Sequence, residues 1–174
     1  VTIVAGITNY PTADFGYAPE GQSPGEGMIG NTVFLDRPQG ATPANGAPDV
    51  GEGIEGATVR LYDATGTTLL GTTTTDENGN YYFGNLSPTG TYTVVVDTST
   101  LPTGLTNTVD PNTAGTGDSQ SVINLASDPD GTNDGVNFGQ NFGYAFADPD
   151  HDAGDIVGTI WADTDADGTL DGTE

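Results

Sequence analysis

Apolar and polar side chains alternate along the middle of this chain with the two-residue period of a β-strand. Ile29, Val33 and Leu35 alternate with polar neighbours, and Ala57-Thr-Val59-Arg-Leu61-Tyr-Asp63 repeats the pattern. A turn signal, Asp76-Glu-Asn78-Gly79, separates strand-like residues 72–75 from Tyr81-Tyr82-Phe83. Thr91-Tyr92-Thr-Val94-Val-Val96 follows, then strand-like stretches at 119–125 and 136–144. No window carries a helical period, and β-branched residues outnumber strong helix formers. About seven short antiparallel strands set off by turns predict an all-β fold, a β-sandwich.

The pattern also recurs at long range. Gly27-Met-Ile-Gly-Asn-Thr-Val-Phe-Leu-Asp36 aligns with Gly154-Asp-Ile-Val-Gly-Thr-Ile-Trp-Ala-Asp163, and Asp14-Phe-Gly-Tyr17 with Asn141-Phe-Gly-Tyr144, both at an offset of 127 residues. Two matches at one offset predict a tandem repeat. In that register residues 1–17 are the closing strands of a preceding module and 18–27 a linker. Residues 28–145 are a complete module, 146–153 an Asp-rich linker, and 154–174 the opening strand and loop of the next module. The partial modules at either end would need strands from outside, from a continuing polypeptide or from neighbouring subunits that donate them.

Charge changes the picture more than size does. Twenty-five acids face two bases, Arg37 and Arg60, so the formal charge is −23. With only 33% hydrophobic residues, the core must be thin and self-repulsion opposes compaction unless cations gather on the chain. Such a polyanion repels nucleic acid and anionic lipid, and no apolar run is long enough to insert in a membrane. Cys is absent and His151 is the single histidine, which leaves no disulfide and no thiol chemistry. His151 sits in an acidic linker without a nucleophile beside it, so it reads as solvated and the chain as no enzyme.

The candidate chemistry is metal binding. Asp163, Asp165 and Asp167 fall at positions 1, 3 and 5 of an EF-hand-type loop, the Thr169 carbonyl at 7, Asp171 at 9 and Glu174 at 12, with Gly168 at the turn position 6. Oxygen donors alone, without His or Cys, suit Ca2+ better than zinc or copper. The complete module carries an altered version, because 17 residues run from Asp36 to Glu52 where the third module has 12. There Asp36 stands at position 1, Asn45 at 5, Asp49 at 9 and Glu52 at 12, provided the insertion bulges outward; the alternative is an empty turn. Asp128, Asp130 and Asp134 form a second acidic cluster between the last two strands, with a solvated turn as the alternative reading. Asp148 and Asp150 could bridge two modules through the linker. Asp110 and Asp118 read as solvent-facing, Trp161 as a core or seam aromatic in register with Phe34, and Asn85-Leu-Ser87 is a formal glycosylation sequon followed by Pro88.

Together these motifs resemble a known family. Gly-x-Ile-x-x-Thr-Ile-Trp-x-Asp with its Asp-rich loop, Gly53-Ile-Glu-Gly56-Ala-Thr-Val-Arg-Leu-Tyr-Asp63, Thr75-Asp-Glu-Asn-Gly-Asn-Tyr-Tyr-Phe83, Asn85-Leu86 and Asn141-Phe-Gly-Tyr144 are similar, in order, to the SdrD B-like repeats of bacterial surface adhesins. That resemblance implies an Ig-like or prealbumin-like antiparallel sandwich related to Cna B-type modules. It also implies a calcium-binding role as a rigid stalk outside the cell. Related sandwiches often carry a Lys-to-Asn isopeptide bond, which a chain without lysine cannot form. The expected partners are calcium and neighbouring copies of the module. The rival reading is an adhesin or carbohydrate- or host-ligand-binding module of a larger secreted protein, which a pocket of convergent aromatic and polar groups would favour.

Overall fold

The computed structural model describes residues 22–37, 44–112, 117–127 and 134–146. They form nine strands: β1 (Gly27–Leu35), β2 (Thr58–Asp63), β3 (Leu69–Thr74), β4 (Asn80–Leu86), β5 (Thr91–Val96), β6 (Leu105–Val109), β7 (Gln120–Asn124), β8 (Val136–Asn137) and β9 (Phe142–Phe146). One sheet runs β4-β1-β9-β6, with β8 also paired to β1, and the other runs β3-β2-β5-β7. The two sheets share a core between them, as a sandwich requires.

Each sheet contributes one face of alternating apolar residues. Val59 and Leu61 of β2, Val94 and Val96 of β5 and Ile123 of β7 meet Ile29 and Val33 of β1, Tyr81 and Phe83 of β4, and Phe142 and Tyr144 of β9. The outward positions of β2 remain partly exposed, and there Arg60 pairs with Asp97 at 2.6 Å. Tyr81 and Phe83 pack edge to face, with centroids 6.2 Å apart. Phe34 points the other way from Val33 yet is also fully buried, because the strap 44–53 folds over that outer face and bridges Phe34 through Gly53.

Three features depart from the sequence reading. β6 (Leu105–Val109) was not among the expected strands, and with it and a split strand the described residues carry nine strands where about seven were expected. The stretch 136–144, expected as one strand, is two. Asn137 Oδ1 accepts from the Gly139 N–H at 3.0 Å and from Gln140 Nε2 at 2.9 Å, and this side-chain turn diverts the backbone between β8 and β9. The sheet is also mixed where an antiparallel one was expected. β1 runs parallel to β8 (Met28↔Val136) and to β9 (Val33↔Phe142, Leu35↔Tyr144). The turn at 76–79 closes as expected, with Gly79 N–H on the Asp76 carbonyl at 2.9 Å, but it carries the chain from one sheet to the other.

A backbone crossing fixes the strap that holds the candidate ligands. Gly53 passes so close to the 76–79 turn that a Cβ on it would lie 2.1 Å from the Asn78 carbonyl. Gly79, at φ +76°, leaves no more room, since its Cβ would meet the Val33 carbonyl at 2.3 Å. The strap is then stitched to β1 by Leu35 N–H to the Glu52 carbonyl (2.8 Å) and Ile54 N–H to the Val33 carbonyl (2.9 Å). Thr75, buried, clamps the strap's far end by donating to the Ile54 carbonyl (2.6 Å) and accepting from Ala57 N–H (2.9 Å).

Candidate metal centre

Asp36 emerges from the end of β1 with its N–H on the Tyr144 carbonyl at 2.7 Å, so β9 sets its direction. Asp36 as a residue is only 7% exposed. Oδ1 accepts from Gly46 N–H at 3.1 Å and Oδ2 from the Thr108 hydroxyl at 3.3 Å. The chain that leaves Asp36 thus returns to it at Gly46, which joins the two halves of the interrupted loop.

The rest of the strap is linked residue to residue. Asn45 Nδ2 donates to Asp49 Oδ2 at 2.9 Å, while Asn45 Oδ1 accepts from Ala47 N–H at 2.8 Å. Asp49 N–H donates to Glu52 Oε2 at 3.1 Å and the Asp49 carbonyl accepts from Glu52 N–H at 3.1 Å. Glu52 is 2% exposed, and its Oε1 lies 3.7 Å from Nε of the half-exposed Arg37, whose Nη2 donates to the Gly51 carbonyl at 3.0 Å. Asn45, Asp49 and Glu52 therefore share one strap and Asp36 is bonded to it through Gly46, but among the described residues no three acidic, His or Cys side chains converge closely enough to form a metal cluster. Their donor set is oxygen throughout, which fits a hard cation.

The other predicted ligands are placed unevenly. Asp134 is exposed and its Oδ1 accepts from Val136 N–H at 2.9 Å, capping β8. Asp128, Asp130, Asp148, Asp150, Asp163, Asp165, Asp167, Thr169, Asp171 and Glu174 lie outside the described residues, as do His151 and Trp161. Phe34, the expected partner of Trp161 in the repeat register, is a fully buried core residue.

Sequence reasoning missed two things here. Arg37 and Thr108 both hold the candidate ligands; Arg37 had a signal, being one of two bases and adjacent to Asp36, whereas Thr108 had none. Asp110, read as solvent-facing, is instead half-buried, with Oδ2 enclosed and without a hydrogen-bond partner. Burial first, and then the neighbouring Asp118 carboxylate, push its pKa up to about 6. Asp118 is exposed as expected, and its carboxyl is held below the usual range, chiefly by the Gln120 side chain. The Tyr144 hydroxyl near Asp110 is also enclosed, and burial pushes its pKa up to about 12 against the opposing pull of Ser119.

The turns are tied down by acids in a different way. Asp63 Oδ1 accepts from the Thr65 hydroxyl (2.7 Å) and from the N–H groups of Thr65, Thr67 and Thr68, so its carboxyl sits well below the ordinary range. Among the described residues no helix is long and apolar enough to cross a membrane.

Comparison with known proteins agrees with the motifs. Serine-aspartate repeat-containing protein E of Staphylococcus aureus (strain USA300) is 37% identical over 147 residues, which cover 84% of this chain and 11% of that protein. The bone sialoprotein-binding protein of Staphylococcus aureus (strain MRSA252) is similar to the same degree over the same shares. The chain thus spans about a tenth of the length of the curated relatives it matches. Among solved structures, the shaft pilin SpaA from Lactobacillus rhamnosus GG aligns with a TM-score of 0.42 at 11% identity, covering 71% of this chain and 48% of that one. The sequence model of the SdrD B-like domain matches residues 27–147, which include both sheets, Asp36 and the strap bearing Glu52, and the chain belongs to the SdrD B-like domain family.

Proposed function

We propose that this domain is a calcium-stiffened structural module, one of several in a tandem chain that stands outside the cell as a stalk or filament. The observation that carries the calcium reading is that two buried acids, Asp36 and Glu52, join Asn45 and Asp49 in one hydrogen-bonded stretch of oxygen donors. Buried charge is costly unless it is neutralised. Asp36, Asn45, Asp49 and Glu52 would hold a cation in this module, and Asp163, Asp165, Asp167, the Thr169 carbonyl, Asp171 and Glu174 in the next. Asp128, Asp130 and Asp134, and Asp148 and Asp150 in the linker, are the further candidates. Bound calcium would supply positive charge where the chain has almost none, and so relieve repulsion among clustered carboxylates. Weak sites of this kind suit the millimolar calcium found outside cells, and the serine-aspartate repeat relatives support a place at the cell surface.

The test is a calcium titration of the intact chain followed by calorimetric melting. Calcium at 100 times its dissociation constant contributes about 2.7 kcal/mol per site, so the melting temperature should rise with calcium and fall in excess EGTA. Glu52→Gln should remove one bound ion from the count. A melting temperature indifferent to EGTA would sink the proposal.

A further inference from the structure

An asparagine followed by glycine exposes its side-chain amide to attack by its own backbone, because glycine has no Cβ to block the approach. The chain has two such pairs, Asn45-Gly46 and Asn78-Gly79, and the fold treats them oppositely.

Around Asn45 the groups that the attack requires are in place. The Gly46 N–H, whose nitrogen is the nucleophile, donates to Asp36 Oδ1 at 3.1 Å, so the carboxylate of a buried residue sits on the proton that must leave. Asn45 Oδ1, where negative charge gathers as the carbonyl is attacked, accepts from the Ala47 N–H at 2.8 Å. Asn45 Nδ2, the nitrogen to be expelled, donates to Asp49 Oδ2 at 2.9 Å. A base on the nucleophile and a donor on the developing oxyanion are the parts of an acyl-transfer site. Asn45 and Gly46 are both exposed, so water reaches them, and at Gly46 the nearest atom to a Cβ position is a Val109 methyl at 3.6 Å.

Asn78-Gly79 is arranged otherwise. The Gly79 N–H donates to the Asp76 carbonyl at 2.9 Å, and a carbonyl is no base. The Asp76 carboxylate is spent elsewhere, with Oδ1 accepting from the N–H groups of Asn78 at 2.9 Å and Asn80 at 2.8 Å. Gly79 is also wedged between backbones, with the Val33 carbonyl 2.3 Å and the Gly53 Cα 2.7 Å from its Cβ position. That peptide has no room to swing toward the Asn78 side chain.

We propose that Asn45 is a self-modification site, at which Asp36 is the general base for cyclisation onto Gly46. The Gly46 nitrogen bonds to Asn45 Cγ while Asp36 Oδ1 takes its proton, and the carbonyl electron pair moves onto Oδ1, held by the Ala47 N–H. The pair returns as the Cγ–Nδ2 bond breaks, and Nδ2 leaves as ammonia with the proton relayed from Asp36 through water. Water then opens the five-membered imide at either carbonyl and leaves an aspartate or isoaspartate at position 45. Nothing is oxidised or reduced, and water is the one co-reactant. The product adds a carboxylate to the strap at the loop position that Asp167 holds in the uninterrupted motif. That consequence rests on the calcium reading above; the cyclisation itself does not.

The test incubates the intact chain in chelator, folded or in urea, and follows each asparagine by peptide mapping in a mass spectrometer. Trypsin parts the two pairs, because it cuts after Arg60 while Pro38 shields Arg37. Asn45 should convert at least about ten-fold faster in the fold than in urea, and Asn78 more slowly in the fold than in urea. Asp36→Asn keeps an acceptor on the Gly46 N–H but cannot take its proton, so Asn45 should fall back to its rate in urea. Asn45 converting more slowly in the parent fold than in urea, or an Asp36→Asn chain as fast as the parent, would overturn the proposal; the first comparison needs no variant to fold. Saturating calcium separates this failure from that of the calcium reading. A cation on Asp36 takes the base away and should slow Asn45, and a fast reaction indifferent to calcium refutes the calcium reading of the strap while the cyclisation stands.

Discussion

Replacing Asp110 with asparagine should stabilise this domain at neutral pH. Asp110 presents one enclosed, unpartnered carboxylate oxygen near the buried Tyr144 hydroxyl and the Asp118 charge. Its pKa rises from 3.8 to about 6 on folding, so the folded state holds the proton more tightly than the unfolded chain does. The stability this proton confers is complete below about pH 4 and is lost as pH climbs through about 6. At pH 7.5 the native domain has lost all of it, whereas a neutral asparagine keeps the site uncharged at every pH. Two pH units correspond to about 3 kcal/mol if taken whole. Asp110 is only half-buried, and solvent screening reduces the expected gain to about 1 kcal/mol. For a domain of this size that is about 4 °C in melting temperature. Parent and Asp110→Asn chains should be melted in chelator at pH 7.5 and again at pH 4, so that every other acid cancels in the difference. The reasoning fails if Asp110→Asn melts no higher at pH 7.5, or if its advantage persists undiminished at pH 4.

Two further substitutions probe the strap. Thr75→Val strands a buried carbonyl at Ile54 and a buried N–H at Ala57, and should lower stability by about 2–3 kcal/mol in urea titration, while Thr75→Ser should cost under about 1 kcal/mol. Gly53→Ala forces a methyl into the Asn78 backbone, which has no side-chain freedom to yield; a loss of at least about 2 kcal/mol is expected, and an unchanged denaturation midpoint would show that the crossing is looser than drawn.

Local patterns proved readable where one strand's environment is set by its own sequence. β5 spans the residues that its alternation marked, 91–96, and β2 falls one residue short of its expected start. The turn at 76–79 carried its signal in Asp, Asn and Gly, and closes there. What could not be read depended on partners distant in sequence. The parallel pairing of β1 with β9 joins residues more than 100 positions apart, and no local period encodes it. The break between β8 and β9 falls at Gln140, where the apolar alternation lapses for one position, and Asn137 makes the turn there by using its side chain against the backbone. Asp110 looked like any loop acid, and its partial burial near Tyr144 of β9 and beside Asp118 comes from the tertiary fold. In the candidate site, spacing placed Asp49 and Glu52 together, and the structure joins them at 3.1 Å. The same spacing said nothing of Thr108, which reaches Asp36 from β6.

The parallel alignment of β1 and β9 has a consequence for load. The chain enters the sandwich at the start of β1 and leaves it at the end of β9, and parallel strands put those two points at opposite ends of the pair. Tension applied along the chain therefore pulls β1 and β9 past each other in shear. The hydrogen bonds between Val33–Leu35 and Phe142–Tyr144, together with those β8 makes to Met28 and Ile29, lie across that pull and share it. An antiparallel first and last strand would bring both ends to the same edge, where tension opens one bond at a time like a zip. In this sandwich the bonds must yield together, so the fold resists stretching most strongly along the line its own chain follows.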